Sequence, residues 1–160
     1  MMASDVMDRA AKATELFDPQ VVGYTGDVQP KDAYQYLSHY RDAAMVDVRT
    51  PEEWQSVGVP DLADTGHTLH CISWKTYPNM KKNPDFIVHL TNAVPDKKTP
   101  IFFICRSGGR SMDAAIAASS EGWRCCFNVM GGFEGEPDPG SQRRETQGWK
   151  ALKLPWCQTQ

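Results

Sequence analysis

The chain has 160 residues, 41% hydrophobic and 23% charged, with a formal net charge of −3. That length fits one domain with its own core, and the weak negative charge gives no general attraction to nucleic acid. No apolar run is long enough to span a membrane, and Met1 to Arg9 has neither a basic nor an apolar signal region.

Five cysteines, irregularly spaced, do not form a disulfide framework. The expectation is a cytoplasmic protein with reduced thiols. Cys125 and Cys126 are neighbours in a predicted strand and should point to opposite faces rather than act as a redox pair.

Ser4 to Phe17 has apolar positions at roughly helical spacing and predicts a short amphipathic helix ended by Asp18-Pro19. Residues 1–19 are thus read as a helical extension packed on a domain spanning 20–160. Gln20 to Tyr24 is β-prone, with Gly26 closing it. Asp27 to Asp32, with Pro30 in the first turn, predicts the start of a helix to about Tyr40 that buries Ala33, Tyr36 and Leu37.

Ala44 to Arg49 reads as a buried strand. Thr50-Pro51-Glu52-Glu53 then combines a cap residue, a proline at the first helical position and a glutamate three residues after the cap. Val57-Gly58-Val59-Pro60 breaks that helix early. Thr68 to Ile72 predicts a third strand, Trp74 to Lys82 a polar and aromatic connection, and Asp85 to Val94 a helix stopped by Pro95.

Ile101 to Ile104 is a short apolar run ending at Cys105. Arg106-Ser107-Gly108-Gly109-Arg110 forms a loop, and Ser111 to Glu121 a helix stopped by Gly122. Arg124 to Met130 is a last strand, ended by Gly131-Gly132. Glu134 to Gly148 is polar and aperiodic, an exposed excursion, after which Trp149, Leu152, Leu154 and Trp156 return to the core. The alternation of strands and helices predicts an α/β fold: a mostly parallel five-stranded sheet with helices on both faces.

In such folds ligands bind at strand C-termini. Cys105 ends a strand just before a helix N-terminus, beside two glycines that free backbone N–H groups and two arginines. This surrounding favours a thiolate and any anion it meets. It suits attack on the sulfane sulfur of an anion, or attack on a phosphate or arsenate. A buried structural cysteine is the plainer reading of an isolated thiol, but two arginines, two glycines and a helix start within six residues outweigh it. Asp47 and Arg49 end a neighbouring strand and could share the crevice. An ion-pair brace is the favoured role for them, with Glu53 as a possible partner of Arg49. His67, His70 and Cys71 lack metal-site spacing, and no metal or cofactor is expected.

The segment Cys105-Arg106-Ser107-Gly108-Gly109-Arg110-Ser111 resembles the active-site loop of single-domain rhodanese-like sulfurtransferases. Asp47-Val48-Arg49-Thr50-Pro51-Glu52-Glu53-Trp54 resembles that family's upstream aspartate-x-arginine motif. Gly131-Gly132-Phe133 and the Gly148-Trp149-Lys150 to Trp156 region resemble its later signatures. The resemblance implies a rhodanese-like fold and a persulfide carried on Cys105. Arg106, Arg110 and the N–H groups of Ser107 to Ser111 would bind a small anionic donor, with a thiol or protein as acceptor.

Phosphatases on related folds resemble cysteine, five residues, arginine. Here four residues separate Cys105 from Arg110, a smaller cradle that favours sulfur over phosphate. A phosphatase or arsenate reductase, and a non-catalytic binding module, are the alternatives. Val57 to Leu62 replaces the family's usual glycine-histidine-isoleucine segment, and the 134–148 excursion is longer than in minimal members. Arg143 and Arg144 on it are read as solvated rather than as donor ligands.

Overall fold

A computed structural model describes residues 2–15 and 23–158. Helix α1 spans Met2–Glu15, β1 Gly26–Val28, α2 Pro30–His39, β2 Ala44–Asp47 and α3 Pro51–Val57. Then come β3 Val59–Pro60, β4 His70–Cys71, β5 Lys75–Thr76, β6 Lys81–Lys82 and α4 Phe86–Ala93. The chain continues through β7 Ile101–Ile104, α5 Gly109–Ser120, β8 Cys126–Val129 and β9 Trp156–Cys157.

The main sheet has five strands in the order β1-β8-β7-β2-β4, and every pair in it is parallel. Strands buried on both faces read as continuous apolar runs. Alternation then sends successive side chains into two separate cores. Met45, Phe102, Ile104, Phe127 and Val129 pack with Val6 and Ala10 of α1 and with Ala33, Tyr36 and Leu37 of α2. Ala44, Val46, Ile101, Phe103 and Cys126 pack with Phe86 and Leu90 of α4 and with Ala114, Ala115 and Ala118 of α5. Cys125 and Cys126 accordingly fall in opposite cores.

The predicted strand over Gln20 to Tyr24 is not where β1 forms. Its residues 20–22 lie outside the described chain, as do Leu16 to Pro19 at the predicted helix end. Gly26 opens β1 instead of closing a strand, and Asp27 and Val28 belong to β1 rather than to the following helix. A three-residue edge strand of Gly, Asp and Val has little β propensity, so it forms by pairing with Phe127 to Val129. The β5–β6 hairpin and the β3–β9 pair also carry no apolar alternation to announce them. Helix α5 begins at Gly109, two residues earlier than the sequence suggests.

Helix α3 starts as expected. The Thr50 hydroxyl accepts from the Glu53 N–H, and the Glu53 carboxylate accepts from the Thr50 N–H at 3.2 Å. That box is worth about 1 kcal/mol and also fixes the direction of the Glu53 side chain. Gly58 ends the helix at φ 103°. Among the described residues, no helix is long and apolar enough to cross a membrane.

Candidate active site

Cys105 follows the last residue of the central strand β7 and is 1% exposed. Its Sγ accepts from the Gly108 N–H at 3.1 Å, and the Ser111 hydroxyl oxygen also lies 3.1 Å from it. Gly108 precedes α5 with φ 119°, a backbone conformation open to glycine. This turn brings the Gly108 N–H back toward the sulfur three residues earlier. Negative charge developing on Sγ therefore meets an N–H already in place.

A polar chain runs behind Ser111. Its hydroxyl lies 2.5 Å from Asn128 Oδ1, and Asn128 Nδ2 donates to Asp27 Oδ1 at 3.1 Å. The Tyr24 hydroxyl donates to the same carboxylate oxygen at 2.9 Å. Because the Asn128 amide donates to a carboxylate, its carbonyl oxygen is the atom turned to Ser111. Sequence reasoning passed over Asn128. The signal was present: it is the one polar side chain in the strand Cys126-Phe127-Asn128-Val129.

Each loop arginine faces a glutamate. Arg110 makes a two-pronged contact with Glu53, at 2.7 Å and 2.9 Å. Burial alone would push the Glu53 carboxyl up, but the hydrogen bonds and charge of Arg110, with help from Thr50, hold it below the usual value. The Glu53 hydrogen bond raises Arg110 against the opposing effect of burial; the Glu53 charge adds to this, with Cys105 and Tyr77 contributing less. Arg106 pairs with Glu134 at 3.2 Å and remains 48% exposed.

Glu53 is therefore the partner of Arg110, not of Arg49. Arg49 turns back on its own strand to Asp47, with Nε–Oδ1 at 3.0 Å and Nη2–Oδ2 at 2.8 Å. It also donates to the Gly58 carbonyl at 2.7 Å, and its guanidinium lies 4.4 Å from the centre of the Phe133 ring. Both members of the pair are fully buried.

Asp47 and Arg49 do not share the Cys105 crevice. Phe133, under Arg49, belongs to the α1–α2 core, whereas Cys105 belongs to the α4–α5 core. Residues 47 and 49 have the parity of Met45, and Cys105 has that of Phe103. The two features lie at one end of the sheet but on opposite faces. There the two side chains pair with each other and are fully buried.

Gly131-Gly132-Phe133 passes directly under the loop. Phe133 N–H donates to the Cys105 carbonyl at 2.8 Å, and Glu134 N–H to the Arg106 carbonyl at 2.9 Å. A Cβ on Gly132, at φ 61°, would stand 2.5 Å from the Cys105 carbonyl oxygen. The neck of the 134–148 excursion is equally tight, with Gly135 against Gln147 and Gly148. Arg144 donates back to the Gly135 carbonyl, and Arg143 is an exposed partner of Glu145 at 3.8 Å.

Burial pushes Cys125 up to about 12 and Cys126 up as well. Cys71 reaches solvent, yet desolvation of its thiol and the nearby Asp47 charge push it up to about 12, with Arg49 opposing. Strand β2 separates β4 from β7, with Cys71 opposite Asp47 and Asp47 opposite Ile104. Cys71 is thus two strand spacings, roughly 9.6 Å, from the strand leading to Cys105. A disulfide needs Cα atoms within about 7 Å. Cys71→Ser should accordingly keep any Cys105-dependent turnover within about twofold of wild type; a loss of most turnover would make Cys71 a resolving thiol.

His67 Nε2 contacts the Tyr40 carbonyl at 2.8 Å. Among the described residues, no group of three or more His, Cys, Asp or Glu is placed to hold a metal ion. A groove of about 570 Å³ lined by Met7, Ala10, Tyr36 and Pro100 lies at the other end of the sheet. Pro100 precedes β7 and Cys105 follows it, so that groove is remote from the thiol.

The family model for the rhodanese-like domain matches residues 27–135, which hold the sheet, the Cys105 loop and its Gly132 support. This chain belongs to the rhodanese-like domain family. An uncharacterised protein of Rickettsia conorii is 40% identical over 125 residues, covering 78% of this chain and 90% of that protein. The crystal structure of Rv0390 from M. tuberculosis is 39% identical with a TM-score of 0.76, covering 85% of this chain and 99% of that one. The 30 kDa polysulfide-sulfur transferase homodimer of Wolinella succinogenes is 19% identical with a TM-score of 0.56, covering 98% of this chain and 86% of that one. At that identity the likeness is one of fold. In this rhodanese-like domain, Val6 and Ala10 of α1, which lie ahead of the matched segment, are part of the α1–α2 core.

Proposed function

We propose that the protein is a sulfurtransferase that carries a sulfane sulfur as a persulfide on Cys105. The observation that supports this best is the Gly108 N–H donating to Cys105 Sγ, with the Ser111 hydroxyl beside it, in a loop closed by Arg110 after only four intervening residues. The cradle is small. It holds a thiolate and one added sulfur more readily than a phosphoryl group with three oxygens.

In the first half-reaction the Cys105 thiolate attacks the outer sulfur of the donor. A new S–S bond forms at Sγ, the donor's own S–S bond breaks, and the electron pair leaves with sulfite or a thiolate. In the second, a thiophilic acceptor, such as a thiol or a protein cysteine, attacks the terminal sulfur and the Cys105 thiolate returns. The N–H groups of Ser107 to Ser111 and the guanidinium groups of Arg106 and Arg110 are the groups at hand for the negative charge of donor and persulfide. Asp47 and Arg49 brace the strand end beneath. The proposed setting is the cytoplasm, where the thiol stays reduced.

Mass spectrometry tests this directly. After incubation with thiosulfate or a perthiol, Cys105 should gain about 32 Da, removable by reductant. Turnover of an aryl phosphate, with no adduct from any sulfur donor, would overturn the reading in favour of a phosphatase.

A further inference from the structure

The charge around the loop is balanced before any donor arrives. Arg106 and Arg110 contribute two positive charges, Glu134 and Glu53 two negative ones, and the four groups sum to zero. The two pairs are unequal. Glu53–Arg110 is two-pronged, 12% and 16% exposed, and held by the α3 capping box. Glu134–Arg106 is a single contact at 3.2 Å on the solvent side of the loop. Arg106 is thus the cation that an incoming anion meets first, and Glu134 already lies against it.

Glu134 is not free to swing away with its backbone. Its N–H donates to the Arg106 carbonyl at 2.9 Å, the Gly135 N–H donates to the same oxygen at 3.2 Å, and the preceding Phe133 N–H is tied to the Cys105 carbonyl. Gly132 allows this close passage because it has no Cβ. The carboxylate is a negative charge held beside Arg106 by an anchored backbone.

Donors differ in how much charge they bring. Thiosulfate and the Cys105 thiolate together carry three negative charges, which remain as the persulfide anion and sulfite. A neutral perthiol and the thiolate carry one in total. The thiolate bonds to the outer sulfur of RS–SH, the perthiol's S–S bond breaks, and the thiolate RS⁻ leaves with the electron pair. The perthiol proton stays on the transferred sulfur. A loop whose arginines are already neutralised accommodates the second of these better than the first.

Resting on the sulfur-transfer reading above, we propose that Glu134 sets donor choice: its carboxylate disfavours thiosulfate-like dianions and selects a perthiol of low charge as the sulfur donor. Glu134 is a specificity residue and takes no part in bond making. Removing its charge releases one charge-assisted contact for the donor, equivalent to about a tenfold change in rate.

The test is the rate at which the adduct of about 32 Da appears on Cys105. It is measured for wild type, Glu134→Gln and Glu134→Asp, with thiosulfate and with cysteine persulfide generated in situ. Wild type should load faster from the perthiol. Glu134→Gln should load from thiosulfate about tenfold faster than wild type, with the perthiol rate changed less than about twofold. The gain should shrink at high salt, and Glu134→Asp, which keeps the charge, should remain slow with thiosulfate. An unchanged donor ratio in Glu134→Gln, or an equal rise with both donors, would overturn the proposal while leaving sulfur transfer intact. Absence of an adduct on wild type from either donor would instead remove the sulfur-transfer reading, and this inference with it.

Discussion

Cys105→Ser should abolish sulfur loading, with a fall in transfer of at least about a thousandfold and no adduct on the chain. A serine oxygen is close in size to the sulfur it replaces and can keep the contacts with the Gly108 N–H and Ser111 hydroxyl. It cannot carry a sulfane sulfur, and its hydroxyl is not ionised near neutral pH. The buried position tolerates the change, because the side chain stays small and both of its neighbours can still hydrogen-bond. The variant should fold, with unfolding by urea within about 1 kcal/mol of wild type. Steady-state transfer and denaturation measured on one preparation separate lost chemistry from lost structure. Full transfer by a folded Cys105→Ser protein would remove Cys105 from the mechanism. Retained partner binding without turnover of any donor in wild type would favour a binding module.

The second large effect is on stability. Arg49→Ala leaves the Asp47 carboxylate buried without its cation, and also removes the guanidinium from the Gly58 carbonyl and the Phe133 ring. Breaking one side of a buried pair costs about 3–5 kcal/mol. For a domain of this size that corresponds to a fall in Tm on the order of 10 °C. The double variant Asp47→Leu with Arg49→Met should recover a large part of the loss, because both charges leave together and apolar volume replaces them. Urea unfolding of the single and double variants measures the difference. A single variant within about 1 kcal/mol of wild type would show that the pair is not the brace its geometry implies. Since Asp47 and Arg49 lie on the face away from Cys105, sulfur loading per folded molecule should change far less than stability.

The glutamates give the loop a different character from its sequence. In the sequence, Cys105 to Ser111 looks like an electropositive cradle waiting for an anion. In the fold, Glu53 arrives from α3 and Glu134 from the segment after β8, and each takes one arginine. The loop's ability to attract an anion then depends on which of the two pairs yields. The exposed Arg106 pair is the one a donor can reach, and donor choice turns on it.

What the sequence determined by itself is local. Apolar strand runs ending at Cys105 and near Asp47, the Thr50–Glu53 cap, the Gly58 and Gly122 stops and the short spacing from Cys105 to Arg110 are all written within a few residues of one another. Each rests on backbone preference or period, so each can be read without knowing what lies across the sheet. The tertiary structure alone decided the long-range pairings. It set Glu53 on Arg110, Asn128 behind Ser111, Glu134 against Arg106, and the Asp47–Arg49 ion pair on the face opposite Cys105. It also made strands of Gly26–Val28 and Trp156–Cys157, whose residues become β only when a partner strand supplies the hydrogen bonds. The reason is physical: a side chain's direction follows from its own backbone, but the group it meets is brought by another part of the chain.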